Sequence, residues 1–392
     1  MRLHDVGERT EAGRRVLHAS VTWEDQDREP RELRVEVPAD AALPATVSPA
    51  VFLPVAAVAA HVHGETRMRV EGSVDMTLLA GIVDALTWFS TSDPSRRAPL
   101  VIDADARAEP APAGSRTMAL LTGGVDSTAA LIDNHARYDP THPHRTSVGL
   151  VVFGLDESTD GDIHRPDDFL ESLCDRFGLD LIAIRTNVRV LDPSVRFWWD
   201  HAQTATWSGI AHAFEPDVRE LIVGADAKIG DDASQHRGSH PILDNWFASS
   251  NVRIHHGAGR LSRLERLELV TASGPALASL QVCNGPRRSW RPLNCGRCEK
   301  CQRTMLALVA LGALDRASSF PVGELTPETV SAIQLGSWTL RSSYETLLPL
   351  LESRGRTDLA VATRQMLRRS RLLALKAYAK RTEHRLARTL RR

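Results

Sequence analysis

The chain has 392 residues, 42% of them apolar and 25% charged, and a net charge of −1. That length supports two or three domains, and the composition excludes a disordered or fibrous protein. No apolar run reaches the roughly 20 residues of a membrane helix and the first residues do not form a secretory leader, so the expected location is cytoplasmic, with no transmembrane segment.

The near-zero total hides an asymmetry. From Arg354 onward there are 13 Lys and Arg against two acids, while the other 353 residues carry 35 basic and 47 acidic groups, a net −12.

Residues 1–112 read as a β-rich accessory domain. Stretches 15–23 and 32–37 partly alternate in polarity, as half-buried strands do, and Pro-rich segments separate them from a third apolar run at 51–55. Met76 to Phe89 places apolar residues at helical spacing, and 99–102 is another strand candidate. His61 and His63 lie two apart, on one face of a strand, but no third ligand joins them. Substrate shaping or homodimer contacts are the roles this part offers. An Ala/Pro-rich linker at 108–114 closes it.

From Thr117 the pattern changes to strands separated by helices. Strands at 117–121, 146–153, 181–185 and 220–224 alternate with helices after Ser127, at 167–177 and at 198–214. This spacing predicts an α/β fold with a parallel, Rossmann-like sheet over 115–282. Ligands of such sheets bind beyond the carboxyl ends of the strands. Asp156 and Glu157 follow the second strand, Asn187 the third, and Asp226 and Lys228 the fourth; the last two leave the sheet directly after a buried run and rank highest. The polar segment 230–241 reads as a loop over substrate, with His236, Arg237 and His240 as anion or proton-transfer groups. Arg263 and Arg266, one helical turn apart, suit either a phosphate clamp or salt bridges to neighbours such as Glu265.

The turn after the first of these strands is Leu121-Thr122-Gly123-Gly124-Val125-Asp126-Ser127-Thr128. Two glycines let backbone amides approach an anion, and the following helix points its positive end at the same place. Thr122, Ser127 and Thr128 supply hydroxyl donors, and Asp126 a carboxylate for Mg²⁺. No lysine follows the glycines, which excludes a Walker loop.

Four of the five cysteines fall between Cys283 and Cys301. Cys295, Cys298 and Cys301 have Cys-x2-Cys-x2-Cys spacing, and Cys283 adds a fourth thiolate, defining a metal-binding segment at 283–315. Four thiolates close a tetrahedral zinc site of the structural kind; an iron–sulfur cluster is the rival occupant. Cys174 reads as a small buried apolar residue.

Thr122-Gly123-Gly124-Val125-Asp126-Ser127 resembles the Ser/Thr-Gly-Gly-x-Asp-Ser pyrophosphate loop of the N-type ATP pyrophosphatases. With the cysteine cluster downstream, residues 115–315 are similar to the 7-cyano-7-deazaguanine synthase branch of that family. The resemblance implies an adenine nucleotide alpha hydrolase-like domain and an AMP-forming carbon–nitrogen ligase. ATP and Mg²⁺ would be bound by Thr122, Gly123, Gly124, Val125, Asp126, Ser127, Thr128 and Asp226. Asp126, Ser127, Lys228 and, by analogy with a basic residue in a Ser-Lys-x-Glu context, Arg263 would act in catalysis. Zn²⁺ would be held by Cys283, Cys295, Cys298 and Cys301. A small-molecule or peptide carboxylate or amide is the implied acceptor, and ammonia or an amine the donor. The family's deazapurine-recognition residues match no segment, and neither 1–112 nor the tail has a counterpart, so the substrate does not carry over. Two other readings stand beside it: a tRNA-thiolating enzyme, and a nucleotide-binding sensor or assembly subunit without turnover.

The region 316–392 is helical and basic. Thr326-Pro327-Glu328 is a helix start, and helices are expected at 344–351 and 358–390. The last interleaves Leu, Ala and Val with Arg and Lys. Its apolar face suits docking on the acidic body of the chain, and its basic face suits tRNA phosphates or an anionic membrane surface.

Overall fold

The computed structural model describes residues 1–92, 100–107, 114–155, 167–226, 228–230, 237–283, 293–335 and 340–389. They form two compact units, Met1–Ser262 and Arg263–Arg392. The first is α/β and is built on one ten-stranded, mostly parallel sheet.

Strands β1 (Arg2–Glu11), β2 (Arg14–Thr22) and β3 (Arg31–Val37) pair antiparallel in sequence. After the helix α1 (Leu53–His63), β4 (Arg67–Asp75) lies parallel to β1, and after α2 (Met76–Ser92), β5 (Val101–Arg107) lies parallel to β4. The parallel half follows: β6 (Arg116–Leu120), α3 (Val125–Arg137), β7 (Thr146–Phe153), α4 (Asp167–Phe177), β8 (Asp180–Thr186), the helix Gln203–Ala213, β9 (Val218–Gly224), the helix Pro241–Trp246 and β10 (Arg253–Gly257). Across the sheet the order is β10-β9-β6-β7-β8-β3-β2-β1-β4-β5. Met118 to Leu120 and Leu221 to Val223 are buried without alternation, as strands covered on both faces must be.

The sheet does not stop where the sequence places a domain boundary. β3 pairs antiparallel with β8, Val35 opposite Thr186 and Glu36 opposite Arg185. Side chains lock the seam: Asn187 Oδ1 accepts from the Arg34 amide at 2.7 Å, its Nδ2 donates to the Glu32 carbonyl at 2.8 Å, and Thr186 Oγ1 donates to the Arg34 carbonyl at 2.8 Å. Asn187, a ligand candidate from its place after a strand, is therefore the clasp between the two halves. Leu17, Leu33 and Val35 share a continuous core with Met118, Leu150 and Ile184.

The apolar run at 51–55 is not a strand. Pro54 sits in the first turn of α1, and the alanines after it favour a helix that is buried all along its length to His61. His61 and His63 consequently leave a helix in different directions: His63 Nε2 lies 3.2 Å from Asp192, and His61 Nε2 lies 3.3 Å from the Ser90 hydroxyl.

The second unit is helical. Leu267, Val270, Met305, Leu306, Tyr344 and Leu351 are buried in it. Thr326 caps the helix Pro327–Ala332 with a reciprocal capping box, as its sequence indicates. The long helix Thr357–Thr389 buries Leu359, Ala362, Thr363, Met366 and Leu367, one stripe at helical spacing. Arg364 pairs with Glu352, and Arg341 Nη1 donates to the Leu367 carbonyl at 3.1 Å. Among the described residues, no helix is long and apolar enough to cross a membrane.

Candidate functional site

β6 begins the parallel half. The chain adds β7 and β8 on one side of it, then crosses to add β9 and β10 on the other. The order reverses between β6 and β9, and that is where an open parallel sheet leaves a crevice beyond its strand ends. The turn Leu121–Gly124 and, past β9, Ala225, Asp226 and Lys228 border it.

Gly123 has φ +71°, the left-handed region that a side chain disfavours. Gly124 then caps α3 through its backbone, with no side-chain cap. First-turn amides of a helix have no intrahelical acceptor, so this end suits an anion. Two hydroxyls knit the turn. Thr122 Oγ1 lies 3.1 Å from Ser127 Oγ and accepts from the Gly124 amide at 3.2 Å, while Ser127 Oγ accepts from the Thr122 amide at 3.2 Å. Ser127 is buried, whereas Thr122 is exposed and Asp126 half-buried, so the last two face the crevice more openly. Thr128 is 1% exposed, buried like Ser127 beside it. β9 closes on the turn: a Cβ on Gly224 would come within 2.6 Å of the Asp126 carbonyl carbon and 2.7 Å of the Ser127 amide nitrogen. Only glycine lets the end of β9 approach the first turn of α3 so closely.

Asp226 and Lys228 are both exposed past β9. Arg237 Nη1 donates to Asp226 Oδ2 at 2.9 Å, so the loop ahead of the helix Pro241–Trp246 reaches back to the end of β9. Asp156, Glu157 and His236 lie outside the described residues. Arg263 is half-buried at the start of the second unit's first helix, and Arg266 is 0% exposed, a core residue rather than an open phosphate clamp. Asp244 and His256 escape the sequence reading. The run Ile254-His255-His256-Gly257 is too short and polar to mark an edge strand, and only the fold shows that a carboxylate twelve residues earlier meets it.

In the second unit the sulfurs of Cys283, Cys295, Cys298 and Cys301 all lie within 4.8 Å of one another and can hold a metal ion. Cys295 Sγ and Cys301 Sγ are 3.8 Å apart, too far for a disulfide. A tetrahedral ion with metal–sulfur bonds of about 2.3 Å has sulfur–sulfur edges of about 3.8 Å. Backbone amides point at the sulfurs: those of Arg297 and Cys298 donate to Cys295 Sγ at 3.4 and 3.3 Å. The amide of Cys301 donates to Cys298 Sγ at 3.5 Å, which makes Cys298 the cap of the helix Glu299–Leu311. Each such bond favours the thiolate, as does the helix end.

Hydrogen bonding to Cys283 first, with burial contributing, pushes the Cys298 and Cys301 thiols above the ordinary thiol range. Four sulfurs this close ionise together only around a cation. Asn294, 0% exposed, braces the cluster: Oδ1 accepts from the amides of Val282 and Cys283 at 2.8 and 3.2 Å, and Nδ2 donates to the carbonyls of Leu280 and Ser319 at 2.8 and 3.1 Å.

No protein-family model, curated protein or solved structure matches the chain. The functional reading therefore rests on residues and geometry.

Proposed function

We propose that the chain is an AMP-forming ligase of the N-type ATP pyrophosphatase kind, with an adenine nucleotide alpha hydrolase-like domain. It activates a carboxylate or amide oxygen with ATP for attack by ammonia or an amine. The carrying observation is the glycine turn at the strand-order reversal, with Gly224 pressed against its first helical turn.

The acceptor oxygen attacks the α-phosphorus of ATP; the bond between α-phosphorus and the bridging oxygen breaks and pyrophosphate leaves. Charge on the leaving pyrophosphate grows at the positive end of α3, whose first-turn amides have no intrahelical acceptor. Asp126 is the carboxylate that would hold Mg²⁺, whose chemistry is charge neutralisation on the phosphates. Thr122 and Ser127 keep the turn in shape through their mutual contact. Lys228, exposed beyond Asp226, supplies a cation at the mouth of the crevice. Arg263 is the second cationic candidate, on the analogy of sequence alone. The amine nitrogen then attacks the activated carbon, and AMP departs.

For the cysteine cluster the fitting ion is Zn²⁺. One tetrahedral ion matches the 3.8 Å sulfur–sulfur edge, whereas a cubane would hold each thiolate on a different iron and farther apart. Four thiolates leave no position for a reacting group, so the ion's role is to fold its segment.

The test is mass spectrometry of a metabolite extract incubated with ATP and the protein, against the Asp126→Ala variant. The reading requires a molecule that gains AMP, or an acid that becomes an amide, with wild type only. The same product from Asp126→Ala, or ADP in place of AMP, contradicts it.

A further inference from the structure

Asp244, in the helix Pro241–Trp246, is 1% exposed and collects four donors. Thr204 Oγ1 donates at 2.6 Å and the His240 amide at 2.8 Å to Oδ1; His256 Nδ1 lies 2.7 Å and Ser239 Oγ 3.3 Å from Oδ2. A carboxylate surrounded by donors acts as acceptor only, so the proton between it and His256 sits on Nδ1. In the neutral ring this tautomer leaves Nε2 with a bare lone pair.

His256 is 8% exposed, and its Nε2 is buried with no hydrogen-bond partner among the described residues. Most buried polar atoms are paired, and an orphan calls for a reason. Satisfying Asp244 is not that reason, because Thr204, Ser239 and the His240 amide already do so.

The position of this ring supplies a reason. His256 is the penultimate residue of β10 and pairs with Val223, the residue before Gly224, which abuts Asp126 and Ser127. With strands about 4.8 Å apart, its Cα lies about 10 Å across the sheet from the end of β6. His255 lines a cavity with the α3 residues Asp133, Asn134 and Arg137, so His256, the next residue, points to the opposite face. The glycine turn enters α3 on one face, and Asp244 and His256 stand on the other, beside the same strand ends.

We propose that His256 is the general base of the transfer step, with Asp244 as its positioning residue. This rests on the ligase reading above. A bare ring nitrogen accepts from an N–H group and repels a carboxylate, so its ligand is the amine nucleophile and not the acid. As the amine nitrogen attacks the activated carbonyl carbon, the carbon–nitrogen bond forms and the carbon–oxygen bond to AMP breaks, with AMP taking the electron pair. The surplus N–H proton passes to His256 Nε2. The imidazolium that results is stabilised by Asp244 and returns its proton to water after AMP departs.

Two measurements on the full metal-loaded chain decide this. In long-range ¹H–¹⁵N spectra of histidine-labelled protein at pH 7.5, with His256 assigned by its loss in His256→Gln, the expected ring has a proton on Nδ1 and none on Nε2. Asp244→Asn should move that proton to Nε2. A protonated Nε2 in the wild type overturns the proposal. The second measurement uses a defined pool of small carboxylic acids with MgATP and either ammonium chloride or hydroxylamine. His256→Gln should slow amide formation from ammonia by about 10²–10⁴-fold, the usual range for losing a general base, while pyrophosphate exchange into ATP persists. Amide formation at the wild-type rate, or an equal fall in exchange and transfer, overturns it. No exchange by the wild type with any acid sinks the adenylation reading, and this step with it.

Discussion

The glycine turn and the cysteine cluster reach their shapes by opposite means. Residues 121–128 satisfy themselves: Thr122 and Ser127 bond to each other and to the turn's own amides, and Gly123 takes the one backbone conformation the turn needs. The cluster does not: the Cys298 and Cys301 thiols are both held above the ordinary thiol range, with the hydrogen bond to Cys283 the largest cause. On the proposed function the first is a preformed receptor for an anion, and the second is completed by its ion, which then takes part in folding the unit. Losing the ligand should therefore matter little to the stability of the turn and much to that of the cluster.

The largest effect should come from Cys301→Ser. It removes the most buried of the four ligands, and structural zinc sites draw on the order of 10 kcal/mol from the metal. We expect loss of metal, measured by elemental analysis, and a second unit that limited proteolysis cuts. A metal-free but protease-resistant second unit would show the cluster to be self-supporting like the turn.

Asn294→Ala should come next. It strands two amides and two carbonyls in the interior, a cost of about 2–4 kcal/mol. Denaturant titration should show that loss, with partial recovery on adding Zn²⁺, since metal binding is linked to folding.

Gly123→Ala probes the other side of the comparison. A side chain in the left-handed region costs about 1–2 kcal/mol, so thermal stability should fall slightly while MgATP binding by calorimetry is lost. Retained affinity would mean that the turn's conformation is not what receives the phosphates.

The smallest effect separates the fifth cysteine from its neighbours. Burial pushes the Cys174 thiol up to about 12. Alkylation requires the thiolate, so at pH 8 Cys174 should stay unmodified in the folded chain even after a chelator exposes the other four to iodoacetamide. Its modification at the rate of the cluster cysteines would contradict its burial.

Much of this was legible in the sequence because it is local. The glycine turn, the strands at 146–153 and 220–224 and the cysteine spacing each declare themselves within about ten residues. What stayed hidden depends on partners far along the chain. Asn187 resembles any polar residue after a strand until β3 arrives from 150 residues earlier to take its bonds. The apolar run at 51–55 carries no assignable period until Pro54 and the following alanines lead it into a helix. β1, β4 and β10 carry charges or histidines on their exposed sides, and only pairing with neighbours makes them strands.

The most direct test is the identity of the phosphate bond that breaks. In ³¹P NMR of MgATP incubated with the full chain, ammonium and a defined acid pool, the account predicts AMP and pyrophosphate in equal amounts, both absent with Asp126→Ala. ADP and orthophosphate as the products, or pyrophosphate release undiminished by Asp126→Ala, would contradict it.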